Sequence, residues 1–309
     1  MQRADDQIRL DSVSKPSASA WLMALPAGAG LYMGNDVFVV RLCRWFGAPF
    51  PFPIGRYCVN GCDEDMREDP AKHHIEYCAK RSSRIWVHDS MVAEMHLMNR
   101  TAGMACQSEV LARKLMYLPE SPSGTSRERF DLYCSGPPEV MPWVGDVTII
   151  HPFTPTLVSN LASIRDPFVA LDNARKGKEA KYGKACVENN TKLEVYAISQ
   201  YGVCSEDYFH AVGRASDYFA LGKAEKWKRA AFRTKWITRL SVTLQRSLGA
   251  KELSLAQEID WAKYGSSSAQ VRPKGWYYRN RPGELPMADD DLENVVVGHL
   301  MDINNRHRF

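Results

Sequence analysis

The segment RFDLYCSGPPEVMPWVGDVTIIHP, residues 129–152, constrains the fold more than any other part of the chain. Two runs rich in β-branched and aromatic residues flank a Gly/Pro-rich turn, so the segment reads as two neighbouring strands joined by SGPPEVMPWVG. Each run carries one carboxylate, Asp131 in RFDLY and Asp146 at the mouth of VTIIHPF, fifteen positions apart. A buried carboxylate without a partner is costly, and it persists where it is paired or coordinates a metal. A hairpin brings such positions together, so both acids can face one pocket.

The flanking sequence supplies the rest of a layered fold. NDVFVVRLCRWFG reads as a helix capped at Asn35 and closed by Gly47. RIWVHDSMVAEMHLMNRTAG is helical by the spacing of Ile85, Val92, Met95 and Leu97, and SEVLARKLMYLP reads as a shorter amphipathic helix. DPFVALDNARKGKEAKYGKAC is a further helix, and KLEVYAISQYG alternates as a strand does. Residues 205–248 form one or two helices, with Ile237, Leu240, Leu244 and Leu248 at helical spacing. This order predicts an α/β or α+β fold around one central sheet. Residues 1–57 divide into a polar, mobile arm to about residue 19 and a helix. A Cys/His segment follows at 58–80, the sheet-containing domain at 81–250, and at 251–309 an extension that orders against a partner.

Three groups of side chains carry chemistry. Cys58-x3-Cys62 and His74-x3-Cys78 are spaced to close a tetrahedron on structural zinc. His73 leaves the choice of imidazole open, and the four-residue offset to Cys78 favours His74. Asp131 and Asp146 are the acids that divalent-metal phosphodiester hydrolysis requires, with Glu109, on the preceding helix, as a third candidate. Lys178 and Tyr182 share one helix face with Lys181 beside them, so that face can hand an ammonium to the pocket. The third group is the helix KAEKWKRAAFRTKWITRLSVTLQR. Its Lys223, Lys226, Lys228, Arg229, Arg233, Lys235 and Arg239, interleaved with Trp227, Phe232 and Trp236, form the kind of surface that meets phosphates and bases. The aromatic side of such an amphipathic helix is expected in the core and the basic side on phosphate. A net charge of +4 permits an acidic partner without requiring one. Eight cysteines without a basic, apolar leader predict a reducing intracellular compartment, nucleus or organelle matrix, and no apolar stretch is long enough to span a membrane.

The order of these parts resembles the region that follows the reverse-transcriptase domain in non-LTR retrotransposons encoding a restriction-like endonuclease, domesticated copies included. The residues that carry the resemblance are AWLMALP (20–26), RWFG (44–47) and the Cys58/Cys62/His74/Cys78 knuckle. They continue with VHD (87–89), Glu109, FDL (130–132), DVTIIHP (146–152), KEAKY (178–182) and RLSVTLQR (239–246). It spans about residues 18–250, and the ordered combination is more specific than any single motif. The resemblance implies a restriction-endonuclease-like mixed sheet flanked by helices and preceded by a zinc knuckle. It also implies Mg²⁺ on Asp131 and Asp146 with Glu109 assisting. The lysine that usually stands two positions after the second acid is Thr148, so the amine is expected from the helix, Lys178 first and Lys181 second. The implied activity is Mg²⁺-dependent cleavage of DNA. The alternative is a catalytically degenerate nuclease fold kept as a structural or DNA- or RNA-binding subunit of a larger ribonucleoprotein assembly.

Overall fold

The structure, a computed structural model, describes residues 4–26, 28, 30–50, 83–111, 129–136, 141–153, 166–220 and 226–264, without the side chains of 4–5, 83–84, 226 and 254–264. The expected zinc ligands Cys58, Cys62, His74 and Cys78 lie outside the described residues. So do Lys223, the side chain of Lys226 and the tail from residue 265 onward.

In chain order the elements are α1 (Ala4–Val13), a short 3-10 turn (Ala20–Met23), α2 (Asn35–Phe46) and α3 (Ser83–Thr101). The strands β1 (Ala105–Leu111), β2 (Arg129–Ser135) and β3 (Trp143–Ile150) follow, then α4 (Val169–Glu188), β4 (Lys192–Ser199), α5 (Glu206–Phe219) and α6 (Lys226–Tyr264). The four strands form one mixed sheet in the order β1-β2-β3-β4. β1, β2 and β3 are antiparallel neighbours, whereas β4 runs parallel to β3 along its whole length, from Trp143 opposite Lys192 to Ile150 opposite Ser199. A parallel pair needs a long crossover, and α4 lies in it.

Helices cover both faces of the sheet, which is why the central strands are so apolar. On one face Val87, Met91 and Met95 of α3, Tyr208 of α5, and Phe232, Trp236 and Leu240 of α6 enclose Leu132, Trp143, Val147, Tyr196 and Ile198. On the other, Tyr182 and Cys186 of α4 pack on Phe130 and Val144, and Leu171 packs on Val195 and Ala197. Gly145 allows this density, because a Cβ there would run into the Tyr196 ring. A buried polar network ties α2 to α6: Arg41 donates to Glu252 Oε1 at 2.7 Å, to Gln245 Oε1 at 2.8 Å and to the Gln200 carbonyl at 3.1 Å. Among the described residues no helix is long and apolar enough to cross a membrane.

Three sequence expectations are corrected by the fold. SEVLARKLMYLP does not begin as a helix: its first residues lie in β1, paired with β2 from Ala105–Ser135 to Leu111–Arg129. Cross-strand pairing there overrides the local helical pattern. Helix α3 buries Val87, Met91, Met95 and Met98, while Ile85 and Leu97 of the expected apolar stripe are exposed. The polar N-terminus is not a free arm. α1 inserts Ile8 against Phe153 and Tyr201, Arg9 donates to the Trp45 carbonyl at 2.9 Å, and Ser17 Oγ donates to the Gly202 carbonyl at 2.7 Å.

Ile8 is fully buried. Ile8→Ala should therefore destabilise the protein by about 2–5 kcal/mol in chemical denaturation. An unchanged midpoint would mean that α1 does not dock.

Candidate active site

The alternation of β2 slips at Asp131. Phe130 packs with Val144 and Tyr182 on the α4 face, yet Leu132 and Cys134 pack on the opposite face. In a regular strand residues two apart share a face. The β2–β3 ladder runs Cys134–Trp143, Tyr133–Val144, Leu132–Gly145, and one further step along this register sets Asp131 opposite Asp146. A side chain fills the place of the missing ladder bond: Asp131 Oδ2 accepts the Val147 N–H at 2.6 Å. On the other side of β2, Glu109 adopts a φ of 55° between the bridges Ser108–Leu132 and Val110–Phe130. Local ladder distortions of this kind re-aim side chains next to active sites.

Two carboxylates directly opposite on one sheet repel each other. Each is met by a cation from a different helix. Asp146 is buried on β3, and Lys178 of α4 brings Nζ to 2.8 Å from its Oδ2. Thr148, two residues along the same strand, donates its hydroxyl to Asp146 Oδ1 at 3.1 Å. Burial pushes the Asp146 carboxyl above the usual range and the Asp131 charge adds to that, and the pull of Lys178 does not cancel them. On α3, His88 places Nε2 3.1 Å from Asp131 Oδ2 and Nδ1 3.0 Å from Asp89 Oδ1. Burial pulls the imidazole down, but hydrogen bonds and charge from Asp131 and Asp89 outweigh it and raise its pKa to about 9. At neutral pH the ring is therefore an imidazolium that donates from both nitrogens.

The fold thus brings Asp131, Asp146 and Lys178 together from three elements. Glu109 does not join them: it sits on a strand, not a helix, is 49% exposed, and faces Arg129 Nη1 at 3.5 Å. Tyr182 is buried edge-on against Phe130, ring centroids 5.1 Å apart, so its role in the fold is packing. The ammonium of the exposed Lys181 lies 4.7 Å above the Tyr182 ring. Sequence reasoning marked His88 and Asp89 only as part of a motif and gave Thr148 no role. Their partners are set by tertiary structure, and only the VHD triplet hinted at them.

On α6, Phe232 and Trp236 belong to the core, as the amphipathic pattern predicts. Arg239 is removed from the phosphate surface, because it grips Glu94 of α3 at 2.7 and 3.3 Å and lies over the Trp236 ring at 5.1 Å. Arg229 stands 3.4 Å from Asp217 at the surface, and Arg233 is exposed one turn further on. Lys228 lies over Trp227, which is 51% exposed, and Lys235 is half-buried.

Among the described residues no group of three or more His, Cys, Asp or Glu is arranged to hold a metal. Two carboxylates and a threonine hydroxyl are nevertheless hard oxygen donors. They suit Mg²⁺, which keeps several waters and takes one or two carboxylates together with substrate phosphates. Burial is the main cause of the raised Asp146 pKa and the Asp131 charge adds to it, so a cation beside the carboxylate would favour its charged form.

Asp131→Ala should lose about 1–3 kcal/mol by orphaning the Val147 N–H, and Asp131→Asn should lose less, since its amide oxygen still accepts. Asp146→Asn should be neutral or stabilising at pH 7, because its carboxylate pays for burial. Thermal melts of the three variants check the order. The His88 contribution falls as pH rises, because its folded pKa is raised. It is complete below the ordinary pKa of 6.5 and is lost as pH rises through about 9. NMR titration of the ring should find that value, and Asp131→Asn should lower it.

Models of known protein families include none that matches this chain, and no curated protein matches it.

Proposed function

We propose that the chain is a nucleic-acid-binding, Mg²⁺-dependent endonuclease of the restriction-like kind, acting on phosphodiester bonds in DNA. The single observation that carries the reading is the contact of Lys178 Nζ with Asp146 Oδ2 at 2.8 Å, beside Asp131. A lysine thirty-two positions downstream, on a crossover helix, meets the acid that its spacing had marked. Asp131 and Asp146 would hold the ion, which when bound lowers the pKa of its water and offsets charge on the phosphoryl oxygens. Lys178 is 35% exposed, so its flexible stem can leave Asp146 and follow a scissile phosphate. There the ammonium orients the attacking water or stabilises the crowded phosphorus. Thr148 holds Asp146 Oδ1 while this exchange takes place.

The supporting surface is the basic side of α6, where Arg229 and Arg233 are exposed and Lys228 is half-buried. Lys228, Arg229 and Arg233 would neutralise phosphates, with Trp227 offering a face on which a base can stack. In the same reading zinc sits on Cys58, Cys62, His74 and Cys78, and the protein works in a reducing compartment, nucleus or organelle matrix.

A second reading has its own observation. Asp131 and Asp146 each already carry a protein cation, His88 and Lys178, so the cluster is electrostatically closed without a metal. That favours a nuclease scaffold retained as a structural or nucleic-acid-binding subunit of a ribonucleoprotein assembly.

Nicking of supercoiled plasmid in Mg²⁺ or Mn²⁺ separates the two. The endonuclease reading expects nicking by the wild type, none by Asp146→Ala, and a loss of about 10²–10³-fold for Lys178→Ala. Equal nicking by wild type and Asp146→Ala, or none by either, contradicts it. In gel shifts over a salt series, the double variant Arg229→Ala/Arg233→Ala should bind DNA more weakly and lower the log–log salt slope by about two.

A further inference from the structure

We infer that His88 is a positioning residue for the Asp131/Asp146 centre, a role the sequence had not assigned. The inference rests on the metal-dependent reading proposed above. His88 meets the conditions that Glu109 does not. Its helix is anchored one residue away by Val87 and again by Met91, both buried in the main core, so the ring has a fixed origin. The ring spans two acids, with Nε2 3.1 Å from Asp131 Oδ2 and Nδ1 3.0 Å from Asp89 Oδ1. It is 30% exposed, so the ring is held by its partners while one side still meets solvent.

The consequence falls on Asp131. Its Oδ2 accepts two hydrogen bonds at once, from His88 Nε2 and from the Val147 N–H at 2.6 Å. Two donors from different elements, a helix side chain and a strand backbone, lock the carboxylate against rotation. Among the described residues no donor meets Oδ1, so it is the oxygen left for a cation. An outer partner that holds a metal-binding carboxylate in this way tunes affinity without touching the metal. Asp89 in turn holds the ring, but at 52% exposed it is the weaker member of the relay.

The test is Mn²⁺ binding, followed by the loss of the free-ion electron paramagnetic resonance signal. Mn²⁺ alone is titrated into the full-length protein, so cleavage is not needed as a readout. His88→Ala should weaken binding by about 10–100-fold. His88→Gln puts an amide nitrogen near the Nε2 position and should restore most of the affinity. His88→Asn reaches only the Nδ1 position, toward Asp89, and should stay weak. A purely structural role predicts that affinity follows thermal stability across the three variants instead. Wild-type affinity in His88→Ala or His88→Asn, or His88→Gln as weak as alanine, overturns the inference and leaves the metal reading standing. A wild type that binds no Mn²⁺ overturns both.

Discussion

Everything at the centre of this protein follows from one electrostatic constraint: two carboxylates face each other on adjacent antiparallel strands, and one of them is buried. Left alone, Asp131 and Asp146 would repel and at least one would take up a proton. The chain answers with cations from both layers of the sandwich, Lys178 from the helix on one face and His88 from the helix on the other. Burial, with the Asp131 charge adding to it, still holds the Asp146 pKa above the usual carboxylate range.

The fold makes the arrangement possible in specific ways. The parallel β3–β4 pair requires a crossover, and the crossover helix carries Lys178 back over the strand that holds Asp146. The slip in β2 turns Asp131 out of the regular alternation, so one carboxylate can meet a strand amide and a helix side chain together. Long α6 closes the opposite face through Phe232, Trp236 and Leu240, and its Arg239–Glu94 pair fixes α6 against α3, the helix that bears His88.

Much of this was legible in the sequence, for identifiable reasons. β3 and β4 are apolar runs bounded by turn residues, and the Gly/Pro turn before β3 predicts the β2–β3 hairpin. Those features are local, so they placed Asp131 and Asp146 on neighbouring strands. Lys178 was legible because helical periodicity puts it on one face with Tyr182. What was missed is non-local. β1 reads as a helix until its pairing with β2 is known, which misplaced Glu109. The stripe chosen on α3 included Ile85 and Leu97, whereas the face that packs is rich in methionine, with Met91, Met95 and Met98. His88 has no distinguishing local context, since its partner Asp131 lies forty-three residues away. The docking of α1 depends largely on one isoleucine in a polar segment, a signal too small to see without the surface it meets.

The central claim is that the two opposed acids are a divalent-cation site whose protein cations are stand-ins. Anomalous diffraction from crystals soaked in Mn²⁺ with a short oligonucleotide tests it most directly. The account predicts a manganese peak between Asp131 and Asp146, with the Lys178 ammonium withdrawn from Asp146 toward a phosphate. No peak there, with the 2.8 Å Lys178–Asp146 contact intact beside bound nucleic acid, would contradict it.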